Sequence, residues 1–219
     1  MRVRLVTDDN TAYDLKNLGW MVDFEEMSAP QPKTNFVDIP ARSGFLDLTE
    51  VDGTVYYEPM VFTLVCRRIC SRSEQILQYS RQMMNLFNGK SLRVYLNEDD
   101  YYYDARVSVG NFYRDGLVLG LEIQVNAYPY RLQSNPTSES YTISGSRTIT
   151  LLNDDMPVVP TINASASMTI TMNDGSGTSF SISAGDNIVI PNLVIPAGGI
   201  GLTIEGTGTI GFTYTKGAF

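Results

Sequence analysis

Between Leu117 and Asn126 apolar and polar residues alternate almost without a break. Leu117, Leu119, Leu121, Ile123 and Val125 form one set; Val118, Gly120, Glu122, Gln124 and Asn126 form the other. A period of two places the first set on a core face and the mostly polar second set opposite it, as only a β-strand does. Asp115-Gly116 before this run and Asp52-Gly53 earlier are turn signals. Thr54–Cys66 reads as a long β-branched and aromatic strand. Pro59 within it has no N–H to donate, so it predicts an edge or a bulge there. Residues 90–97, 101–110 and 112–126 read as an antiparallel meander.

One helix interrupts the strands. Ser71 and Glu74 fit a capping box, Ile76, Leu77, Ser80, Met83, Met84 and Phe87 recur at helical spacing, and Asn88-Gly89 supplies a left-handed stop. The Met pair reads as core filler.

Beyond residue 134 the chain is rich in Ser, Thr, Gly and Asn, and only 2 of the 16 basic and 6 of the 24 acidic residues lie there. Gln133–Ser140 reads as a linker. The division expected is a first domain over 1–133 and a second over 137–219. In the second, Met168, Ile170 and Met172 alternate with Thr169 and Thr171, Asp174-Gly175-Ser176-Gly177 turns the chain, and Thr178–Ile182 resumes extended. Ile188 and Ile190 alternate too, as do Ile210, Phe212 and Tyr214. Such short strands point to a small β-sandwich.

At 219 residues the chain can bury roughly 70% of its unfolded surface without staples. No apolar run approaches the roughly 20 residues of a membrane-spanning helix. The start Met1–Val6 runs into Asp8-Asp9, so no signal peptide is expected. The sequence has no histidine, which excludes a Ser-His-Asp or Cys-His hydrolase and a His-ligated zinc enzyme. A net charge of −8 argues against a DNA-wrapping or groove-reading role. Cys66 and Cys70 are half a metal site with no second half, and read as reduced, partly buried thiols.

Ile39-Pro40-Ala41-Arg42-Ser43-Gly44-Phe45-Leu46-Asp47-Leu48-Thr49 resembles a segment of the type V-P-G-R-x-G-x-L-D-x-T in the distal tail proteins (Dit) of long-tailed bacteriophages. The turn, paired tyrosines (Tyr56-Tyr57) and helix that follow keep that family's order. Asn88-Gly89-Lys90 with Tyr101–Val107, and Leu121–Ala127 with Tyr128-Pro129-Tyr130, resemble its next strands and the end of its first domain. Asn153 with Pro157–Ile162, and Ile195–Ile204, resemble the first and closing strands of its second domain. The chain departs from the pattern at Ala41, where Gly is usual, at Glu58-Pro59, and at Ala127, where Asp is usual.

The resemblance implies a mainly β protein: an N-terminal β-sandwich-like domain with one principal helix, then a small galectin-like or carbohydrate-module-like β-sandwich. It also implies a virion protein of the tail tip, assembled in the bacterial host cytoplasm. Its first domain would form a hexameric ring around a channel through which the genome passes, with no membrane contact. The implied neighbours are further copies, the tail tube protein and the tail-tip (tail-associated lysin or hub) protein, with a receptor-binding or tape measure protein as further candidates. No catalytic residue, cofactor or metal is expected.

The residues suggest where assembly takes place. Met27–Phe36, with Pro30 and Pro32, reads as an extended arm that reaches an adjacent subunit, or as a surface loop. Arg42, Gly44 and Asp47 lie beside it; Gly44 suits a positive φ, and Arg42 suits an acid across an interface or within the chain. Glu98-Asp99-Asp100 is a candidate lumen patch, since an acidic channel repels phosphates, or simply a solvated hairpin tip. Two other classes remain. A carbohydrate-binding adhesion module needs exposed aromatic platforms, yet Phe180, Phe212 and Tyr214 sit in alternating core-type strands and Trp20 lies in the first part. A glycoside hydrolase needs only two placed carboxylates.

Overall fold

The computed structural model describes residues 1–41, 43–50, 53–97 and 100–219. The chain separates into two compact units, Met1–Pro129 and Tyr130–Phe219.

The first unit holds β1 (Val3–Thr7), β2 (Ala12–Asp14), β3 (Met21–Met27), β4 (Phe36–Asp38), β5 (Phe45–Asp47), β6 (Met60–Ile69), α1 (Ser73–Phe87), β7 (Ser91–Leu96), β8 (Tyr101–Asp115) and β9 (Val118–Ala127). Seven strands join antiparallel in the order β2-β1-β7-β8-β9-β6-β3, while β4 and β5 pair only with each other. The alternation in β9 does what a period of two requires: Leu119, Leu121, Ile123 and Val125 are fully buried. They pack with Phe62, Leu64, Cys66, Val107 and the sole tryptophan, Trp20. Leu117 breaks the series. Strand β8 runs on through a register shift between Val109 and Phe112 to Asp115, so the hairpin turn falls on Gly116-Leu117 and leaves Leu117 exposed.

The stretch Thr54–Cys66 is not one strand. β6 starts at Met60, directly after Pro59, and lies between β9 and β3 rather than at an edge. An interior strand needs its N–H groups on both sides, so the ladder begins only past the proline.

Helix α1 buries Ile76, Ser80, Met83 and Phe87, and Ser80 returns its hydroxyl to the Ile76 carbonyl at 2.6 Å. This stripe is narrower than the sequence predicts: Leu77 is 64% exposed and Met84 39%. The expected Ser71–Glu74 box is displaced by one residue. The Gln75 side-chain oxygen accepts from the Ser71 and Arg72 N–H groups at 2.8 and 3.3 Å, because the helix is capped at Arg72 and its third residue is Gln75. Gly89, at φ +74°, ends the helix. Arg68 lies 3.5 Å over the Tyr79 ring of α1 and donates to the Leu18 carbonyl. Cys66 and Cys70 are free and buried, and burial pushes the Cys66 thiol up to about 12.

The second unit holds β10 (Arg131–Gln133), β11 (Thr137–Leu151), β12 (Thr161–Ala164), β13 (Met168–Met172), β14 (Ser179–Ile182), β15 (Gly185–Val189), β16 (Ile200–Tyr214) and β17 (Gly217–Ala218). Gln133–Ser140 is therefore no open linker: Gln133 ends β10 and Thr137 opens a 15-residue strand paired along its whole length with β16. On the other side of β16 lie β12 and β13, in a single register. Ala164 faces Ile210 and Met168 faces Gly206, so no residue is gained or lost between them. β14 then extends the sheet beside β13, and β15 beside β12.

Ile200, Leu202, Ile204, Ile210, Phe212 and Tyr214 all turn into one core with Ile170, Ile162 and Ile143. Both halves of the long strands feed that core, so the sheet must fold over at the level between them. Gly206 and Gly208 stand there at φ +145° and +142°, opposite Gly145 and Ile143 of β11. A Cβ on Gly206 would stand 2.9 Å from Met168 Cγ and 3.2 Å from the Ser167 carbonyl. We expect Gly206→Ala to destabilise this unit by about 2 kcal/mol, read as a lowered denaturation midpoint. An unchanged midpoint would remove the corner from this account.

Candidate assembly interface

The segment from 28 to 59 doubles back on itself. The Glu58 N–H donates to Gln31 at 2.8 Å, the Lys33 N–H donates to Tyr56 at 2.7 Å, and Pro32 bridges Tyr57. Further out, Leu48 donates to Asn35 at 2.8 Å, and β4 and β5 form the outer ladder with Phe36 opposite Asp47 and Asp38 opposite Phe45. At the tip Ala41 has φ +62° and Gly44 φ +85°. Ala41 thus adopts a conformation that suits glycine, the residue usual there in the resembling motif.

Among the described residues the result is a ribbon two strands wide with both faces exposed. Phe36 is 50% exposed and Phe45 59%, and their rings lean together at 4.3 Å. Val37 and Leu46 on the other face are exposed as well. Isolated two-strand ribbons are marginal in water, and a contiguous apolar patch of this kind marks a contact surface. Hydrogen bonds hold the base of β5. Asp47 accepts from the Thr49 N–H at 2.9 Å, and Thr49 Oγ1 accepts from the Asn35 N–H at 3.1 Å. The Thr49 side chain and N–H keep the Asp47 carboxyl below its usual range.

Of the residues singled out in the sequence, Pro30, Pro32, Phe36, Gly44 and Asp47 all lie on this ribbon. Pro30 is half-buried and the others are exposed. The arm is not a lone extended segment, because its second half supplies a partner strand. Arg42 lies outside the described residues, as does Asp52 of the Asp52-Gly53 turn. Phe45 beside Phe36, and Val37 and Leu46 on the opposite face, belong to the same ribbon but escape a sequence reading: strands three residues long show no periodicity. Glu98 and Asp99 also lie outside the described residues; Asp100 is exposed ahead of β8. At the border of the large sheet, among the described residues, no strand but β6 pairs with β3, whose Val22 carbonyl accepts from the Met1 amine at 3.2 Å.

In the second unit Phe212 and Tyr214 are core residues and Phe180 packs against them. The Tyr214 hydroxyl donates to the Leu152 carbonyl at 2.8 Å and stands 3.2 Å from Glu139, to which the Tyr141 hydroxyl also donates. Burial first, and the Glu139 carboxylate second, push Tyr141 up to about 12. Phe219 is 46% exposed and stacks on Tyr130 at 4.6 Å. Among the described residues no three His, Cys, Asp or Glu side chains gather as a metal site.

A mainly β chain of two units, with a single helix among the described residues, has a Dit-like fold. Among the solved structures it is similar to is the Dit protein of phage SPP1, presented as a paradigm of the hub adsorption apparatus in phages that infect Gram-positive bacteria. The two superpose with a TM-score of 0.63 at 13% identity, over 97% of this chain and 98% of the other. No family model and no curated protein matches by sequence. At that identity the likeness is one of fold.

Two tests follow from the arm. Asp47 has its carboxyl depressed, so its bonds to Thr49 support the arm above about pH 4 and are lost as pH falls through the lowered value. Thr49→Ala should raise the Asp47 carboxyl towards the ordinary aspartate value in an NMR titration; an unmoved titration would break the link. Ala41→Gly removes a positive φ from a side chain and should stabilise the tip by about 1 kcal/mol, seen as slower amide exchange over residues 45–48.

Proposed function

We propose that this protein is a non-enzymatic structural component of a phage tail tip. It assembles with copies of itself, expected as a hexamer, into a ring that joins the tail tube to the tail-tip (hub or tail-associated lysin) protein and leaves a channel for the genome. A receptor-binding or tape measure protein is a further neighbour in this reading, and the place of the protein is the virion. The observation that carries the proposal is the ribbon with Phe36 and Phe45 uncovered at its surface, on a chain whose fold is that of SPP1 Dit. A ring needs a heterologous contact, in which a feature on one copy meets a different surface on the next. A projecting arm is such a feature. The charge of −8 per copy suits a conduit for DNA, since it disfavours adhesion of the polyanion.

The carbohydrate-binding alternative rests on the second unit, and Phe212 and Tyr214, two of its five aromatics outside Tyr130, are spent in its core.

Light scattering with negative-stain imaging tests the proposal. The purified chain should give an annular particle of about six copies. Phe36→Ser with Phe45→Ser should weaken assembly at least tenfold in concentration while leaving the folded monomer intact, because the two rings contact each other and not the core. A monomer at every concentration, or a double variant that assembles as well as the parent, would contradict it.

A further inference from the structure

The first unit also carries an uncovered apolar strip away from the arm. Arg114 of β8 donates to Ser73 Oγ of α1 at 3.3 Å, which fixes the start of the helix beside the far end of that strand. Leu77 follows Ser73 by one helical turn, and Met84 follows Leu77 by two. The three share one side of α1, next to the buried stripe. Leu77 and Met84 are exposed there. Phe112 of β8 pairs with Leu121, so it is on the core-facing side of the sheet, yet it is 46% exposed. The strand edge along this strip is open as well. β7 pairs with β8 only over Tyr103–Arg106, and residues 88–90 cap it at Val107 and Val109. Among the described residues, Gly110–Asp115 then have β9 on one side and no strand of their own unit paired on the other.

The strip carries two arginines, with Glu74 at its N-terminal end, where the ladder of the arm carries two acids. Arg81 lies exposed on α1 between Leu77 and Met84 in sequence, and Arg114 flanks the other side. Arg114 is engaged by Ser73 and the Gly116 carbonyl, and among the described residues neither arginine meets a carboxylate. On the arm, Asp38 stands opposite Phe45 and Asp47 opposite Phe36, so each exposed ring has an acid across the ladder. Asp38 has no partner among the described residues.

Resting on the ring reading above, we propose that this strip is the acceptor for the arm of a second copy. Phe36 and Phe45 pack on Leu77, Met84 and Phe112, Asp38 and Asp47 face Arg81 and Arg114, and the ribbon lies along the open edge of β8. Each copy then offers one donor and one acceptor on different parts of its surface, the requirement for a ring that closes head to tail. The strip and the arm are each too apolar for open water and opposite in charge, which selects this pairing over arm with arm, where acid would meet acid.

Cysteine trapping in the full chain tests this. Phe45→Cys and Leu77→Cys are combined in one chain; the native Cys66 and Cys70 are buried and stay silent under mild oxidation. Oxidation of assembled protein should give a ladder of disulfide-linked multimers, while either single variant gives none beyond background. In parallel, Arg81→Asp and Asp38→Arg should each raise the concentration needed for assembly about fivefold, and the two together should restore it. Assembly that is intact but yields no ladder, with both charge variants assembling like the parent, overturns this acceptor and leaves the ring reading standing. A chain that never assembles overturns both. A disulfide formed within a single chain would show that the arm folds onto its own strip, and would also overturn the proposal.

Discussion

A β-ribbon two strands wide cannot hide both of its faces. Other apolar strands close against a second surface: β6 and β9 share a core with Ile76, Met83 and Phe87 of α1, and β16 folds over its own core. The pair β4–β5 has only itself, and four of its six side chains are large and apolar. Fully burying an aromatic or branched side chain is worth about 1.5–3 kcal/mol, so four half-exposed ones hold several kcal/mol in reserve for a partner. Bringing two proteins together costs about 4–15 kcal/mol, which a single such contact offsets only in part. A closed ring makes as many contacts as it has members, and its last contact closes without a further loss of free subunits. The proposed ring would give the ribbon a use for that reserve.

The second unit solves the same burial problem within one chain. β11, β16 and the β12–β13 line are each long enough for two ordinary strands, and they close a core by folding at one level, where Gly145, Gly206 and Gly208 fall together. This explains why Ser and Thr can make up so much of the unit: its outward side chains need only satisfy water and each other, as Ser138 with Thr213 and Thr148 with Thr203 do at 3.2 Å. Of its aromatics, Phe212 and Tyr214 lie in the interior and Tyr141 and Phe180 pack against it.

Much of this was legible in the sequence wherever periodicity had room to act. Leu119 to Val125 announce a half-buried strand, and Ile76, Met83 and Phe87 a helix that faces a core. The failures have local causes. Leu117 obeys the alternation but falls in a turn, because the hairpin arms are equalised by a bulge that no spacing reveals. Leu77 and Met84 obey the helical period but lie beyond the sheet's cover. Pro59 looks like an interruption within a strand and is instead the residue before it. Gln133–Ser140 has the composition of a linker, yet Ser and Thr serve equally well on the wet face of a strand. The arm was legible as a place, through Pro30, Pro32 and the motif from Ile39 to Thr49. It was not legible as a ribbon, since its pairing rests on Gln31, Lys33, Tyr56 and Glu58 backbones far apart in sequence.

In the proposed ring the ribbon is covered by another copy. Amide hydrogen exchange followed against protein concentration reads it directly. The account predicts that amides of 36–38 and 45–48 exchange quickly in dilute protein and become protected as the assembled mass appears, in step with it. Rapid exchange of those amides in fully assembled particles would contradict it.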